Sequence, residues 1–94
     1  MITEFQNICV ICGKPRKEIH HLVFGRGMRP LADADGLTVP LCMSCHKAIH
    51  YNGVASQMSK IIGQLEYEME QVKKGVPQEV ARENFRKRYG RSYL

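Results

Sequence analysis

The chain has 94 residues, a formal net charge of +5 and no tryptophan. This length allows one domain with a small core, worth only about 3–5 kcal/mol before any metal or disulfide is added. No apolar run approaches the roughly 18 residues of a membrane span, and the N-terminus lacks a signal-peptide pattern, so we expect a soluble, cytoplasmic protein with no membrane partner.

The four cysteines form two C-x-x-C pairs, Cys9/Cys12 and Cys42/Cys45. In a reducing cytoplasm such pairs favour a metal over disulfides, and two pairs together are typical of a closed structural zinc site. A thiol redox function for one pair is the alternative. The sequence therefore predicts one structural Zn²⁺ bound by all four thiolates.

Two short strands are predicted between the cysteine pairs. Residues 18–24 are rich in β-branched and aromatic side chains, which favour a strand. Residues 25–36 contain glycine, proline and aspartate and are predicted to be a loop. Residues 37–41 form the second predicted strand, which Pro40 restricts to a sheet edge or a strand end.

A helix is predicted to begin at the second cysteine pair. Ser44 is the expected N-cap of this helix, because its hydroxyl can accept a hydrogen bond from the first turn. Asn52 and Gly53 resemble a helix stop. The predicted order is therefore strand, strand, helix.

Two further helices are predicted after residue 53. The first carries apolar residues at helical spacing, interpreted as a core-facing stripe: Val54, Met58, Ile61, Ile62, Leu65, Met69 and Val72. This helix should end at Gly75, and Pro77 suits the first turn of the next one. The last helix is expected to present an apolar face and an arginine face, the apolar one made by Val80, Ala81, Phe85 and Tyr89.

The positive charge is concentrated near the C-terminus. Residues 71–94 contain seven lysines and arginines against two glutamates, so they account for the whole formal charge of +5. A basic segment on a neutral body indicates a polyanionic partner, although a solvated helix face explains the same pattern. The candidate contacts to the phosphates of such a partner are Arg82, Arg86, Lys87, Arg88 and Arg91.

The histidines all lie close to the cysteine pairs in sequence: His20, His21, His46 and His50. His46 and His50 are one helical turn apart, so their imidazoles share a helix face. Because four thiolates already complete one tetrahedral zinc site, the histidines remain for a second function. An open metal site, with a position for water or substrate, suits two or three imidazoles.

The order of these motifs resembles the zinc-bound subgroup of the HNH (ββα-metal) endonucleases, which is common in phages and restriction systems. The resemblance covers residues 9–50 and rests on C-x-x-C-G, a His-His pair in a strand and L-C-x-x-C-H-x-x-x-H. It implies a hairpin and a helix folded around one catalytic divalent ion. Neutral imidazole ligands would accept Mn²⁺ or another transition ion as well as Mg²⁺.

The resemblance also implies roles for individual residues. His20 and His46 correspond to ligands of the catalytic ion, and His21 corresponds to the general base that activates water. His50 would complete the shell of the ion or steady the scissile phosphate. Arg26 and Arg29 follow the histidine pair and are the candidates for phosphate contacts, with an ordinary surface loop as the alternative reading.

Two features depart from the family pattern or strain it. Leu37 stands where many members carry an asparagine that tethers the hairpin loop, and Asp33 or Asp35 is the candidate replacement. Neighbouring strand residues face opposite sides, so His20 and His21 can serve one site only if the strand ends or twists there.

The sequence thus predicts a small α+β fold in a single domain, 1–94. A zinc-stabilised ββα hairpin-helix core should occupy residues 9–52, followed by a helical extension over 54–94 that ends in the basic segment. The predicted function is metal-dependent hydrolysis of DNA in the cytoplasm of a bacterial host cell, with a phage as one expected source of the gene. The contacts of the basic segment would then be to DNA phosphates. The alternative is a non-catalytic zinc module that binds DNA or protein on the same scaffold. The exposed faces of the two C-terminal helices could also pair two chains in a homodimer.

Overall fold

The computed structural model describes all 94 residues and contains two strands and four helices. In chain order these are β1 (Glu18–His21), α1 (Arg29–Ala34), β2 (Thr38–Leu41), α2 (Met43–Tyr51), α3 (Gly53–Lys73) and α4 (Gln78–Tyr89). The predicted small α+β fold, with a hairpin and helix followed by two further helices, is therefore confirmed. No helix has both the length and the apolar character needed to cross a membrane.

The strands β1 and β2 form a two-stranded antiparallel sheet. Glu18 pairs with Leu41 and His20 pairs with Val39. In so small a sheet both strands are edges, which is why β2 tolerates Pro40. β1 ends at His21, three residues earlier than predicted, because the chain bends immediately after it.

The first cysteine pair lies on a tight turn that docks against β2. The backbone N–H of Gly13 donates to the carbonyl of Cys9 at 2.9 Å, and Gly13 has a φ of 78°, in the left-handed region. The backbone N–H of Val10 donates to the carbonyl of Pro40 at 3.0 Å. The turn is thereby held beside the start of α2, where the second cysteine pair lies.

The segment between the strands contains a helix, so the loop prediction for residues 25–36 was wrong over α1. Pro30 lies in the first turn of α1, where its fixed φ suits a helix and its missing N–H costs no hydrogen bond. Ala32 is fully buried in the core. This apolar contact, which local turn residues do not reveal, explains why the segment is helical.

The N-cap of α2 is Cys42, so the prediction of Ser44 was wrong. The Cys42 sulfur accepts a hydrogen bond from the backbone N–H of Cys45 at 3.4 Å. Asn52 ends α2, as predicted, and its side chain also caps α3 by accepting from the N–H of Ala55 at 2.9 Å. One residue therefore stops one helix and starts the next.

The apolar stripe of α3 faces solvent, so its interpretation as core packing was wrong. Six of the seven stripe residues are at least 41 % exposed: Val54, Met58, Ile62, Leu65, Met69 and Val72. The buried face of α3 carries small and polar residues instead, namely Ser59, Gly63, Gln64 and Glu68.

Close approach explains this reversal. A Cβ atom added to Gly63 would lie 2.7 Å from Val23 Cγ2 and 3.1 Å from Leu22 Cβ. Only glycine lets α3 pack so tightly on the segment that follows β1. The buried Glu68 carboxylate accepts hydrogen bonds from Gln64, Gln78 and the Arg82 guanidinium, so the polar face is satisfied.

The helix α4 closes the core with aromatic side chains. Phe85 and Tyr89 are buried, and their rings stack with centroids 4.4 Å apart. Ala81 is also buried, whereas Val80 is 47 % exposed and does not belong to the predicted apolar face. The Tyr89 hydroxyl donates to Asp35 Oδ2 at 2.6 Å, which ties α4 to the segment after α1.

Candidate metal centres and active site

The four cysteine sulfurs form one cluster. All lie within 4.8 Å of one another, and Cys12 Sγ is 3.6 Å from Cys42 Sγ. A tetrahedron with Zn–S bonds of about 2.3 Å has sulfur separations of about 3.8 Å, whereas a disulfide needs about 2.05 Å. The thiols are therefore free, and their spacing is compatible with a structural zinc ion.

The thiols of this cluster hold their protons with very different strengths. Burial alone would raise the pKa of Cys9. Hydrogen bonds from the backbone N–H groups of Cys12 and Cys42 outweigh this effect and lower the pKa to about 6. A hydrogen bond to Cys42, together with burial, raises the pKa of Cys45 to about 12. A cation among the sulfurs removes this conflict, because zinc binds thiolates and stabilises all four of them.

Three histidines form a second cluster, separate from that of the cysteines. His20 comes from β1, and His46 and His50 come from successive turns of α2. One ring nitrogen from each lies within 4.8 Å of the others, and the Nε2 atoms of His46 and His50 are 3.1 Å apart. Two nitrogens bound to one ion at about 2.1 Å would be about 3.4 Å apart. The cluster therefore fits a divalent ion.

A serine on α3 determines which nitrogen of His20 carries its proton. The Ser59 hydroxyl donates its only proton to the carbonyl of Leu22 at 2.8 Å. The same oxygen lies 2.8 Å from His20 Nε2, so there it must accept, and Nε2 carries the hydrogen. The lone pair of His20 is then on Nδ1, which is the nitrogen left for the ion.

Glu18 plays the corresponding part for His46. The carboxylate Oε2 of Glu18 accepts a hydrogen bond from His46 Nδ1, which leaves Nε2 of His46 free for the ion. Carboxylate-to-histidine bonds of this kind are usual behind metal-ligating histidines. Neither Glu18 nor Ser59 was named from sequence. Glu18 could have been, since it lies two residues before His20 on the same strand face.

The environment favours the neutral form of two histidines of this cluster, His20 and His50. Burial, followed by the nearby charges of His46 and His50, lowers the pKa of His20 to about 3. Burial likewise lowers the pKa of His50, with His46 as the next contributor. Neutral imidazole is the form that binds metals, so these two side chains are suited to bind an ion at neutral pH.

His21 lies beside this cluster and has its own carboxylate partner. Its Nε2 atom lies 2.8 Å from Asp33 Oδ1, on α1. Because an ionised carboxylate only accepts, Nε2 carries the hydrogen and Nδ1 carries the lone pair. His21 retains 20 % exposure of its side chain, whereas His20 is almost fully buried.

A small pocket of about 80 Å³ joins His21 to the cluster. It is lined by Ile19, His20, His21, Phe24, Arg29, His46 and His50. His20 and His21 are neighbours in β1, and they reach the same pocket because the strand ends at His21 and the chain bends there. Of the two arginines predicted to contact phosphate, Arg29 lines the pocket, whereas Arg26 is exposed outside it.

The two loop aspartates have different partners. Asp33 contacts His21, whereas Asp35 accepts hydrogen bonds from the Tyr89 hydroxyl at 2.6 Å and from Arg88 Nε at 2.7 Å. Leu37, at the position where the HNH resemblance predicts an asparagine, is buried in the hydrophobic core. The loop is therefore fixed by core packing and by α4, and Asp33 remains free to orient His21.

Three of the five basic residues predicted to grip DNA in the C-terminal segment are paired within the chain. Arg82 contacts the buried Glu68, Arg86 contacts Glu83 and Arg88 contacts Asp35. The other two have no carboxylate partner, and the Arg91 guanidinium lies 4.8 Å from the centre of the Tyr93 ring. The unpaired cations, Lys87 and Arg91, are the better candidates for phosphate contacts.

A protein family model with the description "Protein of unknown function (DUF968)" matches residues 4–76. The matched region contains both C-x-x-C pairs, all four histidines and α3, and it ends before α4 begins. No curated protein and no solved structure matches the chain.

Proposed function

The chain belongs to DUF968, a protein family of unknown function, and we propose that it is a metal-dependent endonuclease that hydrolyses phosphodiester bonds in DNA. One observation carries the proposal. Three imidazoles converge, with ring nitrogens within 4.8 Å of one another, in a pocket that also contains a fourth histidine, oriented by a carboxylate. A metal-ligand set beside an oriented base is the arrangement that hydrolytic phosphodiester cleavage requires.

The proposed ligands of the catalytic ion are Nδ1 of His20, Nε2 of His46 and a nitrogen of His50. A bound divalent ion supplies Lewis-acid stabilisation of the charge that develops on the phosphoryl and leaving oxygens. With three protein ligands, coordination positions remain for oxygen atoms of water or phosphate. Mg²⁺, Mn²⁺ and other transition ions are the candidates.

His21 acts as the general base in this proposal. Its Nδ1 atom accepts a proton from a water molecule while the water oxygen forms a bond to phosphorus. The bond from phosphorus to the 3′-oxygen breaks, and that oxygen takes a proton from solvent, leaving a 3′-hydroxyl and a 5′-phosphate. Asp33 holds the Nε2–H and stabilises the imidazolium that forms, as the carboxylate does in hydrolase triads.

Cations would hold the substrate. Arg29, in the pocket, contacts the scissile phosphate, and Lys87 and Arg91 contact backbone phosphates further away. The cysteine cluster would have a structural role, since His46 directly follows Cys45 and a zinc ion held by the four thiolates would fix the first turn of α2. We assign the activity to the cytoplasm of a bacterial host cell, where thiols stay reduced.

A plasmid-nicking assay tests the proposal. The zinc-loaded chain is incubated with supercoiled DNA and Mg²⁺, Mn²⁺, Co²⁺ or Ni²⁺ in turn, with His21→Ala as the matched control. We expect conversion to nicked or linear DNA by the native chain alone. If folded, zinc-loaded protein cuts no DNA with any ion, the non-catalytic zinc module becomes the correct interpretation.

A further inference from the structure

An exposed apolar seam runs along α3, opposite the face that packs on the rest of the protein. The α3 seam consists of Ala55, Met58, Ile62, Leu65, Met69 and Val72. These residues are separated alternately by three and four positions, which is the a/d spacing of a coiled coil. The larger five are 41–51 % exposed, and none of the six is charged.

The N-terminal half of the seam borders an apolar groove of about 310 Å³. Ile2, Val10 and Ile11 contribute one wall of this groove, from the N-terminal segment and the first cysteine turn. Ala55, Met58 and Ile62 contribute the other wall, from α3. The C-terminal half of the seam has no such groove beside it.

We propose that the α3 seam is a homodimer interface, in which two copies of α3 pack antiparallel as a short coiled coil. This proposal does not depend on the nuclease activity. In the antiparallel arrangement each a position of one helix faces a d position of the other, so the seam is complementary to itself. The layers are Ala55 with Val72 of the partner, Met58 with Met69 of the partner, and Ile62 with Leu65 of the partner.

The position of the groove selects a second copy in the antiparallel direction. In that register Met69 and Val72 of each chain lie over the groove of the other, so a twofold axis produces two equal contacts. Methionine adapts well to irregular apolar surfaces of this kind. In a parallel pair the two grooves would face each other, and the C-terminal halves of the two α3 helices would contact each other through the seam residues alone.

The size of the seam is that of a weak, reversible interface. Eighteen helical residues extend about 27 Å, on a helix about 10 Å wide. With the groove contacts added, the dimer buries on the order of 1,000 Å² in total, close to the lower limit for a specific interface. We therefore expect a reversible dimer with a Kd on the order of micromolar.

Sedimentation velocity of the zinc-loaded full chain, from about 1 to 200 µM, tests the dimer. We expect a shift from monomer to dimer across this range. Leu65→Glu should keep the chain monomeric throughout, and its Tm at about 1 µM, where the native chain is also mostly monomeric, should be unchanged because Leu65 is 42 % exposed. Val80→Glu is the matched control, since Val80 is 47 % exposed on α4 and should leave dimerisation unchanged.

Cross-linking tests the register. A mixture of Met58→Cys and Met69→Cys chains, treated with a short bis-maleimide, should form heterodimers through these positions. Either variant alone should not, since antiparallel packing separates its two cysteines by about 16 Å. Cross-linking of each variant with itself would overturn the antiparallel register. A monomer at all concentrations, or a dimer unaffected by Leu65→Glu, would overturn the seam as the interface.

Discussion

The cysteine and histidine clusters share helix α2, yet they are built differently. Each cysteine pair is held by its own turn, and the sulfurs hydrogen-bond to nearby backbone N–H groups. The histidines depend instead on side chains from other elements, with Ser59 on α3 holding His20 and Glu18 on β1 holding His46. The first cluster is complete by itself, and the second opens into a pocket.

Under the proposed function, this difference is the one expected between a structural site and a reactive site. Four thiolates fill a tetrahedron and leave no position for substrate, whereas three imidazoles leave coordination positions open. An open site needs outer hydrogen bonds to select the correct nitrogen of each ring, because the coordination sphere alone does not enforce it. If the comparison is right, substitutions in the two clusters should fail in different ways.

The largest effect is expected from Cys42→Ser. It removes a zinc ligand while the serine hydroxyl can still cap α2, and structural zinc contributes on the order of 10 kcal/mol, comparable to the whole stability of a small domain. We expect loss of zinc by metal analysis and loss of the cooperative melting transition by circular dichroism. Met43→Ala, at the exposed neighbouring position, is the control and should retain both. Unchanged zinc content in Cys42→Ser would show that the cysteine cluster is not the structural zinc site.

The second effect is on cleavage, with the fold intact. His21→Ala should bind the ion and DNA but cleave about 10²–10⁴-fold more slowly, which is the usual contribution of a general base. His20→Ala and His46→Ala should instead weaken ion binding, so that raised Mn²⁺ restores part of their activity. Rescue of His21→Ala by the same Mn²⁺ would mean that base and ligand roles are shared.

A smaller effect is expected on metal affinity alone. Ser59→Ala removes the acceptor that keeps the hydrogen on Nε2 of His20, and outer-shell losses of this kind cost about 10–100-fold in metal affinity. Calorimetric titration with Co²⁺ measures it, and Ser59→Thr should retain most of the affinity. Ser56→Ala is the matched control on the same helix, because the Ser56 hydroxyl donates to the carbonyl of Ile49 and touches no histidine. Equal affinities for the two alanine variants would show that Ser59 only supports packing.

The smallest effect is on stability as a function of pH. Burial lowers the pKa of His20 from 6.5 to about 3, so the unfolded chain binds a proton below pH 6.5 that the folded chain refuses. The contribution of His20 to stability is therefore complete above that pH and decreases as the pH falls. Between pH 7.5 and 5.5 the native chain should lose about 1 kcal/mol more than His20→Gln, measured by urea unfolding without a catalytic ion. Parallel curves for the two proteins would show that His20 is not buried neutral.

Most of the correct predictions came from the spacing of residues that lie a few positions apart in the sequence. The two C-x-x-C pairs, the turn between His46 and His50, and the stop at Asn52 depend only on local backbone geometry, which a few neighbouring residues determine. The order of strands and helices follows in the same way. Only α1 was missed in that order, because its helix is stabilised by burial of Ala32 rather than by any local signal.

The tertiary structure decided what local spacing leaves open, above all which side of each helix faces inward. The periodicity of α3 was correct, but tight packing at Gly63 turned the apolar stripe outward, and no residue within the helix itself reports that contact. Ser59 lies 39 positions from His20, and Arg88 lies 53 positions from Asp35, so both bonds exist only once the chain path is set. By itself the sequence determined which residues can bind metal, because ligand chemistry and local spacing are written in it. Their outer partners depend on contacts between distant segments, which only the folded chain brings together.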